Sequence, residues 1–296
     1  MLNNINFFKL PANIWSIIIA VCMLLTNILD YGTATSSPEI ECVKTDKILL
    51  EKAMYSGQGI TTDGEYYYTS GSMTAIGMAG IAKWSLDFEM TDSNLFAIPQ
   101  QYKDEHNSNH IGGISYYNGL IYASVENEDD DFPLIITYDC NTLQPVDVYE
   151  MPLEFLPDGI PWCAVDAENK YLYCSPFRNI ENIIAFDLET MEFDHLIELS
   201  EKITRIQGGE VYNGILYLSY DVSDSNDDKV LGVDVKTGNV LTVAERNLPS
   251  VAGNEAEGLT VFPMEDGSEL HILDYDKTVG IYIRHYKFTE ENKNAN

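Results

Sequence analysis

The sequence predicts an all-β fold, a five-bladed β-propeller of four-stranded blades. Three observations carry this. The first is a repeat. The segment His110-Ile111-Gly112-Gly113-Ile114-Ser115-Tyr116-Tyr117-Asn118-Gly119 matches Arg205-Ile206-Gln207-Gly208-Gly209-Glu210-Val211-Tyr212-Asn213-Gly214. Related copies align on Gln58, Cys163 and Glu257, so that five copies recur at roughly 50-residue spacing, the period of propeller blades. The second is turn chemistry. Copies turn on Asp63-Gly64, Asn118-Gly119, Asn213-Gly214 and Asp266-Gly267, dipeptides that tolerate positive φ between antiparallel strands. The third is glycine in the first strand of each copy except the third. Inner strands crowd the axis of a propeller, and a missing side chain permits close approach.

Each copy has the same grammar. A small-residue first strand is followed by a second strand rich in Tyr, Leu and Ile. A variable loop leads to a third strand that ends in Asp139, Asp187 or Asp234, each placed to accept backbone N–H bonds of the next turn. A fourth, outer strand closes the blade. The last copy has no outer strand after it, and residues 47–54 precede the first copy without a blade of their own. The expectation is that 47–54 supply the missing strand and close the ring, which removes two free sheet edges. The helix formers Glu51, Lys52 and Ala53 make a helix the competing reading of that segment.

The N-terminus reads as an address. Lys9 precedes the apolar run 14–29, and Gly32-Thr33-Ala34 follows as a small-residue cleavage site, so residues 1–34 are expected to be a signal peptide. The rival is an uncleaved membrane anchor, for which the run is short. Residues 35–44 read as a loose leader, 45–288 as the propeller and 289–296 as a polar tail. Export implies an oxidising compartment for the four cysteines that remain. Cys163 and Cys174, facing each other across a hairpin, are expected to bond, which leaves Cys42 with Cys140. No Asn-x-Ser/Thr sequon occurs.

The formal net charge is -30. Such a field disfavours nucleic acid and anionic membranes and favours cations or basic protein surfaces as partners. The strand-entry residues place Gln58, His110, Arg205, Gln207, Glu255 and Glu257 around the axial mouth. That is a polar ring suited to a small polar ligand, with Glu257 the candidate general acid–base beside a histidine. The same ring could instead plug the channel by bonding to itself. Glu255, Glu257, Asn109, Asn254 and Gln207 also offer hard oxygen ligands suited to calcium, although no compact DxDxDG loop occurs. The acidic loops 126–131 and 223–228 flank the mouth. Nine strand tyrosines (Tyr66, Tyr67, Tyr68, Tyr116, Tyr117, Tyr122, Tyr171, Tyr173 and Tyr217) read as inter-blade packing. His106, His195, His271 and His285 show no evident partner. No GxSxG, HExxH, P-loop, CxxC or dinucleotide motif is present.

Gln58-Gly59-Ile60 with Asp63-Gly64 and Thr69-Ser70-Gly71 is similar to the first blade of the plant and bacterial type of glutaminyl cyclase (glutamine cyclotransferase). Glu257-Gly258-Leu259 resembles that family's Glu-Gly motif, which implies proton transfer by Glu257. The chain departs from the family's Gly-x-Ser-x-Leu-Arg stretch, reading Gly80-Ile81-Ala82-Lys83. The remainder resembles extracellular propellers of the lactonase and phytase-esterase kind. Two functions are therefore expected: an exported acidic binding module, or an acyl-transfer, cyclising or lactone/ester-hydrolysing enzyme.

Overall fold

The computed structural model describes residues 37–221, 228–246, 254–276 and 280–289. The signal segment, the tail beyond Thr289 and most of the acidic loop 223–228 lie outside them. Among the described residues no helix is long and apolar enough to cross a membrane.

Five antiparallel four-stranded sheets form the blades. Blade I holds β2 (Ile60–Thr62), β3 (Tyr67–Met73), β4 (Met78–Trp84) and β5 (Met90–Asn94). Blade II, entered through α1 (Gln100–His106), holds β6 (Ser108–Tyr117), β7 (Leu120–Asn127), β8 (Leu134–Asp139) and β9 (Pro145–Glu150). Blade III runs through β10 (Cys163–Asp166), β11 (Tyr171–Cys174), β12 (Ile180–Asp187) and β13 (Phe193–Ile203). Blade IV runs through β14 (Ile206–Tyr212), β15 (Ile215–Tyr220), β16 (Lys229–Asp234) and β17 (Val240–Glu245). Blade V holds β18 (Asn254–Val261), β19 (Leu270–Asp276) and β20 (Gly280–Phe288), and its outer strand is β1 (Ile40–Ile48).

The ring is thus closed by an N-terminal strand, but by an earlier one than the pattern of 47–54 suggested. β1 pairs from Ile40 opposite Phe288 to Ile48 opposite Ile281. Residues Leu50–Tyr55 form a 3-10 helix with Ala53 and Tyr55 buried. The division follows propensity: β-branched Ile40, Val43, Thr45 and Ile48 suit a strand, whereas Leu, Glu, Lys, Ala and Met dominate 49–54. The supposed leader is therefore in part the closing strand, and Thr289 Oγ1 donates to Pro38 O at 2.7 Å to join the two ends.

The core is divided among the five gaps between blades. One cluster of buried apolar residues fills each gap, including the one between blades V and I, where Ile48, Leu273 and Ile283 meet Ile60, Tyr67 and Trp84. All nine tyrosines lie in or against these clusters. The turn aspartates behave as their positions imply. Asp139 Oδ1 accepts from the N–H groups of Asn141 and Thr142, and Asp187 and Asp234 repeat the arrangement. These bonds, led by the one from Thr142 for Asp139, hold the three carboxyls below the usual carboxylate range. Asn118-Gly119 and Asn213-Gly214 carry positive φ at both residues, as a two-residue hairpin requires.

The expected disulfides are corrected. Cys163 does stand opposite Cys174, yet both are free thiols. The Cys163 thiol turns across the gap toward the Tyr122 carbonyl at 3.5 Å. Burial pushes both thiols up and makes them poor nucleophiles. Cys42 packs in the gap between blades IV and V and Cys140 in the gap between I and II, so they cannot meet.

Candidate functional site

The inner strands meet backbone to backbone at the axis. Gly113 N–H donates to Pro161 O at 2.8 Å and Gly258 N–H to Gln58 O at 2.7 Å, each bond crossing from one blade to another. A Cβ on Gly112 would stand 2.2 Å from Pro161 O, and one on Gly258 2.5 Å from Ile60 N. Only glycine permits this collar. The strands reach it through bulges between Ile111 and Ile114, Ile206 and Gly208, and Ala256 and Leu259. Each bulge breaks the period of two and redirects the side chains that follow it.

The polar ring is consequently paired off. Gln58 Nε2 donates to Glu257 Oε1 at 3.2 Å, while Glu257 Oε2 is buried with no partner. Glu257 is 1% exposed. Its burial, and then the charges of Glu255 and Asp221, push its carboxyl well above the usual range. Arg205 is ion-paired with Asp221, and its guanidinium lies over the Phe177 ring. Glu255 stands opposite Tyr275 on the β18–β19 pair. Gln207 lies in the collar, its carbonyl 3.3 Å from where a Gly113 Cβ would be. Of the residues weighed for calcium, Asn254 donates to Asp228 Oδ2 at 3.3 Å and Asn109 lies in blade II. Among the described residues no group of three or more His, Cys, Asp or Glu side chains is gathered around a common point as a metal ion would require.

His110 stands apart from the Gln58–Glu257 pair, at a cavity of about 490 Å³ on the mouth face between blades I and II. Asn109, His110, Glu126, Glu128 and Asp130 line it, with no lysine or arginine. Sequence reading missed Glu126 as a site residue. β6 and β7 pair His110 directly with Glu126; counting back from the Asn118-Gly119 turn would give Asn127, and the bulge between Ile111 and Ile114 shifts the register by one. His110 Nε2 lies 4.0 Å from Glu126 Oε2. Burial pushes His110 down to about 4, which leaves it neutral. Burial, then the charge of Asp130, pushes Glu126 up to about 8, against a backbone bond from Ile160. The acidic loop is organised by Asn127, whose Nδ2 donates to His106 O at 3.1 Å and whose Oδ1 accepts from Asp131 N–H at 3.0 Å.

A second group that sequence reading missed lies beneath blade V. Arg246 Nη1 donates to both oxygens of Asp274, at 2.9 and 3.0 Å, and Arg284 binds the same carboxylate. The three side chains are at most 2% exposed. Their partners lie far apart in sequence and on different strands, so no local pattern announces them.

No family model and no curated protein matches the chain. Among solved structures it is similar to RS223-β-xylosidase, with TM-score 0.57 and 11% identity over 84% of this chain and 96% of that one. It is similar to an exo-β-1,3-galactanase from Phanerochaete chrysosporium, with TM-score 0.54 and 12% identity over 86% of this chain and 65% of that one. A Bacteroides thetaiotaomicron protein of unknown function has TM-score 0.49 and 12% identity over 84% of this chain and 76% of that one. The two glycosidases are not glutaminyl cyclases, and that resemblance gains no support from them. At such identity the likeness is one of fold, and the chain is a five-bladed β-propeller.

Proposed function

We propose that the chain is a binding module, exported as the N-terminal pattern suggests, that takes a small polar cation in the cavity beside His110 and Glu126. An amine or guanidinium group is the chemistry that fits, and a basic side chain of a partner protein could present it. The carrying observation is a lining of three carboxyl side chains with no lysine or arginine. One of them, Glu126, is buried deeply enough to hold its proton at pH 7. A bound cation favours the carboxylate, so binding below pH 8 releases that proton, and affinity rises with pH until Glu126 is ionised on its own.

Calorimetry with n-butylamine, methylguanidine and a lysine-rich peptide, with calcium chloride beside them, tests this. In buffers of different ionisation enthalpy at pH 7, at least one nitrogen cation should bind and release close to one proton per site. Glu126→Gln should abolish the release. Absence of heat and of thermal shift with every probe, or a release unchanged in Glu126→Gln, would overturn the proposal.

The second reading is catalytic, with Glu257 as general acid–base and His110, Arg205 and Gln207 orienting the substrate. The unpartnered Oε2 of a buried carboxyl whose hold on its proton is strengthened by burial favours it. Turnover of N-terminal glutaminyl peptides or of lactones should fall by at least about 100-fold in Glu257→Gln. An unchanged rate in that variant removes Glu257 from the chemistry.

A further inference from the structure

On the face opposite the mouth, where blade V meets blade I, two histidines without evident partners in the sequence come together. His271 on β19 and His285 on β20 are direct cross-strand neighbours. Their Nδ1 atoms are 2.7 Å apart. Tyr67 Oη, from β3 of blade I, lies 3.2 Å from one and 3.4 Å from the other. All three side chains are at most 3% exposed.

The outer nitrogens decide what the inner ones can be. His271 Nε2 lies 2.8 Å from the Phe262 carbonyl, which can only accept, so Nε2 carries the proton and Nδ1 presents a lone pair. His285 Nε2 lies 3.2 Å from Asp46 Oδ2 on β1, in an ion-pair contact that is poorly aligned for a hydrogen bond. A carboxylate there favours a proton on Nε2 in the same way. Lys44 Nζ approaches Asp46 Oδ2 at 2.8 Å. Two imidazoles so oriented aim lone pairs at one another and at a phenol oxygen. A cation at their junction relieves that repulsion.

We infer that His271 Nδ1, His285 Nδ1 and Tyr67 Oη form a binding site for a borderline first-row divalent metal ion of the zinc or copper(II) kind. Zinc–nitrogen bonds of about 2.0–2.1 Å place tetrahedral ligand atoms roughly 3.3 Å apart; the Tyr67 Oη separations of 3.2 and 3.4 Å match this, while the two Nδ1 atoms, at 2.7 Å, must move apart to take the ion. Imidazole ligands suit zinc and copper, whereas calcium and magnesium prefer all-oxygen sets. A ligating histidine usually hands its other N–H to a carbonyl or carboxylate; His271 does so to Phe262 O, and His285 has the Asp46 carboxylate 3.2 Å from its Nε2. The site also has an entry path. A cavity of about 480 Å³ is lined by Tyr67 and His285 together with Asp87, Glu265 and Asp266, against the single cation of Lys44 among the described residues. Its carboxylates attract cations, and it leaves room for a water as fourth ligand. The ligands come from two blades, so the ion would cross-link the ring where the chain closes.

The test uses the full secreted chain, stripped of metal with EDTA and titrated separately with zinc chloride and copper(II) sulfate. One equivalent should bind with a rise in melting temperature, and the copper EPR spectrum should show coupling to two nitrogens. His271→Asn and His285→Asn should each weaken binding at least about 100-fold, and Asp46→Asn about 10–100-fold. Tyr67→Phe keeps the buried ring and should fold even where a histidine variant does not. It should weaken binding at least about tenfold, the lower end of what a lost contact to the ion costs. Absence of a stoichiometric site, a copper spectrum without nitrogen coupling, or affinity unchanged in Tyr67→Phe or in a folded histidine variant would each overturn the assignment. The last pattern would mean that surface carboxylates bind the ion.

Discussion

Asp274→Ala is expected to lower the unfolding free energy by about 3–5 kcal/mol, the usual result of removing one partner from a buried ion pair. The aspartate serves two guanidiniums that water does not reach. Without it, Arg246 and Arg284 face each other as desolvated like charges, with Asp228 a further carboxylate acting on Arg246. The contrast is Lys202→Ala. It breaks a solvent-exposed 3.2 Å pair with Glu181 and should change stability by less than about 1 kcal/mol. Urea denaturation at pH 7 checks both, with the midpoint shifting and the slope unchanged. Similar small shifts in the two variants would show that the buried triad contributes nothing special.

Deletion of residues 37–48 should have the other large effect. It removes β1, and with it the pairing of Ile40 through Ile48 along β20. It also takes Ile40 and Ile48 out of the gaps on either side of blade V. The edge of β20 is then left unpaired and can template aggregation. The expected result is loss of soluble protein, or a melting temperature lower by on the order of 10 °C or more. Scanning calorimetry on the truncated and intact chains reads this. A cooperative melt within about 2 °C of the intact chain would mean that the ring holds without its closing strand.

The blade count and the closure were legible because they rest on backbone demands. Gly112, Gly208 and Gly258 must be glycine where the inner strands touch, and a repeated demand is visible as a repeat. The site was less legible, and the reason is specific. Placing Gln58, His110, Arg205, Gln207, Glu255 and Glu257 in one ring assumed an unbroken period of two. Bulges beside Gly112, Gln207 and Gly258 break that period where it mattered. Glu126 could not be found opposite His110 by counting from the Asn118-Gly119 turn, because the bulge between Ile111 and Ile114 moves the partner from Asn127 to Glu126; His271 could have been found opposite His285, in an unbroken register. The Arg246–Asp274 pair could not, because it joins strands of different blades. The start of β1 was misjudged because Ile48-Leu49-Leu50 reads as one apolar run, although the chain changes conformation within it.

The glycine collar has a topological consequence. Backbone contacts between consecutive inner strands, and across the axis from Gly113 to the Gln207 carbonyl, turn the middle of the molecule into a septum rather than a bore. Nothing the size of a ligand can pass from one face to the other. The His110 side and the Tyr67 side are therefore separate compartments that share a wall. The strands run from one face to the other, but main-chain contacts close the direct route along the axis. A solute that enters one face has no axial path to the other, and each face presents its own lining to solvent.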